Sequence, residues 1–409
     1  MARPDDVVER RCAVTGIGQS AIGRRLGRDP LELTLEACLA AVDDAGLALD
    51  DIDGLSTYPG PMAVPRGFSG AGAYDVIDAL RLDVGWYDSG VETSGQLGSV
   101  IKACLAVGAG LCDHALCFRS VWEGSAQGTG GRASLGPPGG GDGGGGGGGR
   151  PYASGMTEWS LPFGSASPAC WVAMFAQAHM ARYGTTEEQL AQIALNARRN
   201  AARNPNAVYR DPMTLEDYLG VRMITTPLRL YDCDVPCDGA TAVVVSRREA
   251  AGDLRHPPVG VEAVGAALHD RPSWDQVSDL TRLVGADAAT QMWSRTSLTP
   301  ADVQVAEIYD GFSYLTMLWL EAVGLCPVGE SGPFVEGGAR IALDGPLPLN
   351  TAGGQLSGGR LHGYGFLHEA VVQLRGDGGE RQVPRRPEVA AVAAGGGYTC
   401  GCMLLTAGA

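Results

Sequence analysis

The sequence predicts an α/β fold made of two similar halves. Three observations predict it. Apolar strand-like runs alternate with amphipathic helical ones, the same alternation starts again past the middle of the chain, and 409 residues at 45% hydrophobic content can fill a large core.

In the first half CAVTGIG reads as a strand, LELTLEACLAAVDDAGL as an amphipathic helix ending at Gly46, and DIDGLSTYP as a second strand. VETSGQLGSVIKACLAVGAG opens in a tight turn and becomes a helix, and HALCFRSV follows as a buried strand. In the second half PVGVEAVGAAL and VQVAEIYD are strand-like, and SYLTMLWLEAVGL is a helix closed by Gly324 and the nearby Pro327. The segment EVAAVAAGGGYTCGCMLLTAG ends the chain as two apolar strands joined by a glycine-rich bend. The expected division is residues 1–250 for the N-terminal half and 251–409 for the C-terminal half. A helical, aromatic-containing loop region is expected at about 120–225 in the first. Within that region GPPGGGDGGGGGGGRP, residues 136–151, has almost nothing to bury and lacks the GxxxxGK[ST] of a phosphate loop, so it is expected to be a mobile insertion.

A formal charge of -15 leaves no basic stripe for phosphates, which argues against nucleic acid and against an anionic membrane surface. No run reaches the ~18 apolar residues of a membrane span, and the first residues lack a signal-peptide core; a cytoplasmic protein is expected. The eleven cysteines lie in apolar segments and read as buried small hydrophobes of a reducing compartment. Cys233/Cys237 and Cys400/Cys402 lack partners that would complete a tetrahedral site, so no metal is expected.

The stretch GGQLSGGRLHGYGFLHEAVVQLRG, residues 353–376, sets two glycine pairs, two histidines, an arginine and a tyrosine before a helix. Glycines ahead of a helix N-terminus can receive an oxyanion, because free N–H groups point outward there. A flexible loop before a surface helix is the alternative.

Four segments in order, VETSGQLGSVIKA, TTPLRLYDCDVPCDGATAVVV, AEIYDGFSYLTMLWLEAVGL and the glycine stretch above, resemble the thiolase superfamily and in particular its lipid-transfer or sterol-carrier-type branch. The resemblance implies two five-layered α/β/α/β/α halves related by a pseudo-twofold, a homodimer, and a coenzyme A thioester as substrate with no other cofactor. Relatives of this branch work with a small OB-fold partner carrying a zinc ribbon, so such a partner is also implied.

The departures from the thiolase pattern point to the chemistry. Thiolases place a nucleophilic cysteine at the tip of the first turn-helix; that position falls here on Ser94 or Gly95. Their Asn or His in N-E-A-F or H-D-C-F becomes Tyr309 in Tyr309-Asp310-Gly311-Phe312. Their G-H-P-x-G becomes Gly359-Arg360-Leu361-His362-Gly363, and the second cysteine site falls near Gly395. What remains are backbone N–H groups around Gly95 and Gly396 for an oxyanion hole, and Tyr309, Tyr364, His362 and Asp310 as proton donors and acceptors. Ser94, Gly95, Gly354, Arg360 and Gly396 are the expected substrate-binding positions. This inventory fits retro-aldol cleavage of a 3-hydroxyacyl-CoA, with a tyrosine whose pKa is lowered by Arg360 taking the first proton. Some members of the branch are aldol-lyases that shorten steroid side chains. The alternatives are a non-catalytic acyl-CoA or lipid-binding subunit of a larger complex and, last, a thiolase using another cysteine.

Overall fold

In the computed structural model the described residues are 7–59, 67–128, 158, 160–165, 167–252, 254–271, 273–274, 276–397 and 399–408. The glycine-rich segment 136–151 lies outside them. The strands are β1 (Cys12–Gln19), β2 (Gly54–Thr57), β3 (Trp86–Ser89), β4 (His114–Trp122), β5 (Met223–Thr225), β6 (Leu228–Arg229), β7 (Asp238–Arg247), β8 (Val259–Gly265), β9 (Val305–Ile308), β10 (Val389–Gly396) and β11 (Thr399–Ala407). β5 and β6 form a small hairpin, and the other nine join in the order β3-β2-β4-β7-β1-β8-β11-β10-β9.

That order contains an internal symmetry. Outward from β1, the pairings to β7 and β4 are antiparallel and β2 lies parallel to β4. Outward from β8, the pairings to β11 and β10 are antiparallel and β9 lies parallel to β10. Even β3, parallel to β2, has a counterpart in the parallel bridge of Ala306 to Leu349. The halves meet where β1 pairs β8 through Ala13↔Gly260 and Val14↔Val259. This is the two-halved α/β architecture expected from the sequence.

Local sequence explains the elements. β7, DGATAVVVSR, is buried along nearly its whole length, so it reads as a continuous rather than an alternating apolar run. Helix Pro30–Ala45 is capped by Asp29, whose carboxylate accepts from the N–H of Leu31 and Glu32, and ends at the left-handed Gly46. Helix Gly363–Arg375 is buried almost throughout. It packs on β9 and β10 of one half and on β1 and β7 of the other, so it is the central helix on which both halves close. The region between β4 and β7 supplies helices Pro168–Tyr183, Glu187–Ala201 and Leu215–Gly220. Asp238, at the start of β7, holds a turn: its carboxylate accepts from Leu26 N–H at 2.7 Å and from Ser125 Oγ at 2.6 Å. No helix among the described residues is long and apolar enough to cross a membrane.

The turn ahead of helix Gly98–Gly108 sits directly on the bend between β10 and β11. A Cβ on Gly401 would lie 2.0 Å from the carbonyl oxygen of Ser94, so only glycine allows the approach. Gly401→Ala is therefore expected to lower stability by ~1–3 kcal/mol, the usual cost of overpacking, read as the shift in urea midpoint at unchanged slope.

Candidate active site

Three chain segments converge on the glutamine that follows the first turn. Ser94 and Gly95 both adopt left-handed backbone, at φ 58° and 66°. A Cβ on Gly95 would meet Ala394 O at 2.4 Å, which seats the turn flat on the β10–β11 bend and drives Gln96 inward to 2% exposure. The Gln96 side-chain Nε2 lies 2.9 Å from His362 Nδ1, so the amide donates and His362 accepts through Nδ1. The Gln96 side chain also lies near Tyr309 and Glu92, where it opposes the rise of both their pKa values. Its Oε1 is buried without a partner among the described residues.

His362 stands at φ 55°, ψ −163°, backbone territory that is essentially glycine's. Its N–H donates to Gln355 Oε1 at 3.0 Å, and its ring packs edge-on to Phe68 at 4.9 Å between centroids. A strained, nearly fully buried histidine held by two glutamines marks a constrained site rather than a flexible loop. Tyr364 is wholly buried and its hydroxyl lies 2.8 Å from Ser99 Oγ. Tyr58 joins these groups, with its ring 6.3 Å from Tyr364, 6.5 Å from His362, and under the guanidinium of Arg119 at 4.9 Å. Tyr309 and Tyr58 are close enough to affect each other's ionisation. His362 and Tyr364 thus both pack around the Tyr58 ring, and Tyr309 lies near Tyr58 as well.

The other sequence candidates take different places. Asp310 does not cap the following helix, whose N-cap is Phe312. Its carboxylate instead accepts from the N–H of Gln355 at 2.7 Å and of Leu356 at 3.5 Å, anchoring the glycine turn. Gly354 belongs to the same device, since a Cβ there would lie 1.9 Å from Asp310 Oδ2. Arg360 is not free for substrate: Nη1 sits 3.2 Å from Glu123 Oε1 and Nε 2.9 Å from Asp234 Oδ2. Gly396 ends β10 with Trp274 and Leu315 packed against its Cα.

Electrostatics corrects the expected role of the tyrosines. Burial pushes the Tyr309 hydroxyl well above the ordinary tyrosine range, and Asp234 adds to the rise; Arg360 opposes it but does not win. Burial raises Tyr364 as well. Neither tyrosine has the lowered pKa that a resting tyrosinate base would need. Cys400, the thiol beside this cluster, is buried, and burial raises its pKa strongly. Among the described residues no group of His, Cys, Asp and Glu forms a metal site.

Gln96, Tyr58, Phe68, Arg119 and Glu92 escaped the sequence reading. Arg119 carries a visible signal, a charge inside the apolar strand HALCFRSV that becomes wholly buried. Gln96 and Glu92 lie within the quoted turn but carry no spacing signal.

Asp310 supplies a pH test. Burial, the largest cause, lifts its carboxyl to about 7 despite the opposing N–H bonds. A carboxyl raised in the folded state favours folding when protonated; that contribution is full below about pH 4 and is lost as pH rises through 7. Relative to Asp310→Asn, the wild type is expected to lose up to ~1.4 kcal/mol per pH unit between pH 5 and 7, measured by parallel urea titrations. A pH-independent difference would show Asp310 to be ionised throughout.

Comparisons with known proteins place this geometry. Residues 266–405 match the family described as "Thiolase C-terminal domain-like". The chain is 35% identical over 380 residues to the "Steroid side-chain-cleaving aldolase" of Thermomonospora curvata, covering 90% of this chain and 92% of that one. It is 34% identical over 381 residues to the "17-hydroxy-3-oxo-4-pregnene-20-carboxyl-CoA lyase" of Mycobacterium tuberculosis, with the same coverage, 90% and 92%. Among solved structures, the "Ltp2-ChsH2(DUF35) aldolase" superposes with a TM-score of 0.84 at 31% identity, over 98% of this chain and 99% of that one. With a sheet of two matching halves, a turn-helix seated on the β10–β11 bend and relatives spanning nine-tenths of its length, the chain belongs to the thiolase superfamily, in its lipid-transfer-type branch.

Proposed function

We propose that this chain is a carbon–carbon lyase that cleaves a 3-hydroxyacyl-CoA by a retro-aldol step, giving a ketone or aldehyde and a shortened acyl-CoA without an acyl-cysteine. One observation carries the reading: Tyr309 and His362 converge on Gln96 at a site whose neighbouring thiol, Cys400, is buried and protonated. Breaking Cα–Cβ leaves a thioester enolate that needs a proton at Cα, and a neutral tyrosine can supply it. Gln96, His362 and the N–H groups of the Ser94–Gly95 turn face the developing negative charge. Coenzyme A enters as part of the substrate and no further cofactor takes part.

The relatives' names support an acyl group borne on a steroid side chain. A hydroxyl at C17 of a C20-carboxyl thioester is β to the carbonyl, the arrangement a retro-aldol requires, and the C17 product is a ketone. The named complex of the solved neighbour supports a small OB-fold, zinc-ribbon partner for this chain as well. A homodimer is supported by β3, an outer strand that among the described residues pairs with β2 alone and carries Tyr87 at 50% exposure beside Tyr74 at 62%. A second copy adding its own β3 would continue the sheet.

Three outcomes are expected. Tyr309→Phe and Tyr364→Phe remove single hydroxyls, and at least one is expected to lower kcat by ~10² to 10⁴ with little change in acyl-CoA affinity. The assay incubates the protein and its partner with 3-hydroxyacyl-CoAs and reads the products by mass spectrometry. Retention of activity within about threefold in the double variant, set against losses of that order, would make the motif structural. Iodoacetamide is expected to inactivate no faster without substrate than with it, and no acyl-cysteine adduct is expected by mass. Tyr87→Pro, which removes a backbone donor from the edge strand, is expected to convert the dimer to monomer in light scattering.

A further inference from the structure

The internal symmetry of the sheet pairs Tyr58 with Tyr309. β2 and β9 hold matching positions in the two halves, each lies parallel to its inner neighbour, and a tyrosine follows each at its carboxyl end. In α/β sheets ligands bind outside the carboxyl ends of the parallel strands, and both tyrosines stand there.

Tyr58 is 2% exposed, yet its hydroxyl has no hydrogen-bond partner. The Tyr364 hydroxyl, by contrast, lies 2.8 Å from Ser99 Oγ. A buried phenol normally finds a partner, so an unpaired one among these residues is a donor held for something that binds. Its ring is fixed from three sides. The His362 ring stands perpendicular to it at 6.5 Å, the Tyr364 ring lies at 6.3 Å, and the Arg119 guanidinium sits 4.9 Å over its face. The same guanidinium covers Phe68 at 4.9 Å, and Phe68 in turn meets His362 at 4.9 Å, so the four groups close a circle of contacts.

Arg119 is wholly buried, donates to the carbonyl oxygens of Ser120 and Phe68, and forms no ion pair among the described residues. Its charge stays available to an anion that forms nearby, unlike that of Arg360, which Glu123 and Asp234 already engage. Burial holds the Tyr58 hydroxyl well above the ordinary tyrosine range, so it acts as a neutral donor.

We propose that Tyr58 is a further catalytic residue, whose hydroxyl donates a hydrogen bond to the thioester carbonyl oxygen of the substrate and holds that oxygen as the enolate forms; the role rests on the retro-aldol reading above. In the cleavage, negative charge leaves the β-oxygen as it becomes a carbonyl and arrives on the thioester oxygen. A neutral donor backed by a buried cation speeds cleavage when it binds the oxygen that gains charge, and would slow it on the oxygen that loses charge. Tyr58 keeps its proton throughout.

The test uses the protein with its partner and whichever 3-hydroxyacyl-CoA the wild type cleaves. Tyr58→Phe removes one hydroxyl and is expected to lower kcat ~10² to 10³-fold, the usual loss of one oxyanion donor, with KM changed far less. Because that hydroxyl has no partner within the protein, the urea midpoint is expected to stay unchanged or rise. The contact itself is read in the infrared band of the thioester carbonyl, using the shortened acyl-CoA product labelled with carbon-13 at that carbon and bound to the protein. Loss of the hydrogen bond is expected to move the band to higher frequency in Tyr58→Phe than in wild type. Wild-type cleavage with Tyr58→Phe activity within about threefold, set against losses of that order, overturns this proposal alone, and so does a carbonyl band at the same frequency in both proteins. A lowered urea midpoint also overturns it, because the hydroxyl would then be serving the fold. Failure of the wild type to cleave any such thioester overturns the retro-aldol reading itself, and the enolate role of Tyr58 with it.

Discussion

The contact between the Ser94–Gly95 turn and the β10–β11 bend is the constraint on which the site depends. Glycines at 95 and 401 let two backbones approach where any Cβ would collide. That approach turns Gln96 inward, and Gln96 then fixes His362 and lies near Tyr309 and Glu92. On the other side, the Asp310 carboxylate fixes the glycine turn through two backbone N–H groups. His362 can be held at a strained φ of 55° because these two clamps, together with Gln355, determine its position more strongly than the strain opposes it.

Charge in the site is set by burial more than by proximity. Two guanidiniums, Arg119 and Arg360, stand among three carboxylates, Glu92, Glu123 and Asp234. A cation near a phenol ordinarily favours the phenolate, yet Tyr309 stays protonated because Arg360 is largely neutralised by its own ion pairs and desolvation of the phenolate is the larger effect. Desolvation thus outweighs the nearby cations and keeps these hydroxyl groups neutral in a site crowded with charge.

Much of this was legible in the sequence, and the limits have physical causes. The alternation of apolar runs gave the strands and helices of both halves, and the glycine-rich stretch gave the turn before helix Gly363–Arg375. Tyr309, Tyr364 and His362 stand out because each is a titratable group in a motif, and all three are buried. Asp310 and Arg360 were equally visible, but the direction in which a side chain points depends on tertiary partners that spacing does not encode: the N–H groups of Gln355 and Leu356 for one, Glu123 and Asp234 for the other. Tyr58 lies some 250 residues before Tyr309 in the sequence, and only the folding of β2 beside β4 brings it in. β3 is four residues long and mostly half-exposed, too short and too weakly patterned to register as a strand.

The strand order also fixes a timetable. β1 lies at residues 12–19 but its partner β7 only at 238–247, so on a ribosome moving at ~5–20 residues per second the first strand waits roughly 10–50 seconds for its neighbour. Once β7 has emerged, the first half can close its own sheet, with β1 still offering an edge for β8. The contact between Gln96 and His362 spans 266 residues, and the strands that seat its turn, β10 and β11, are made last of all. The chain therefore spends most of its synthesis with an open sheet edge, and the turn that carries Gln96 cannot meet its seat until β10 and β11 have been made.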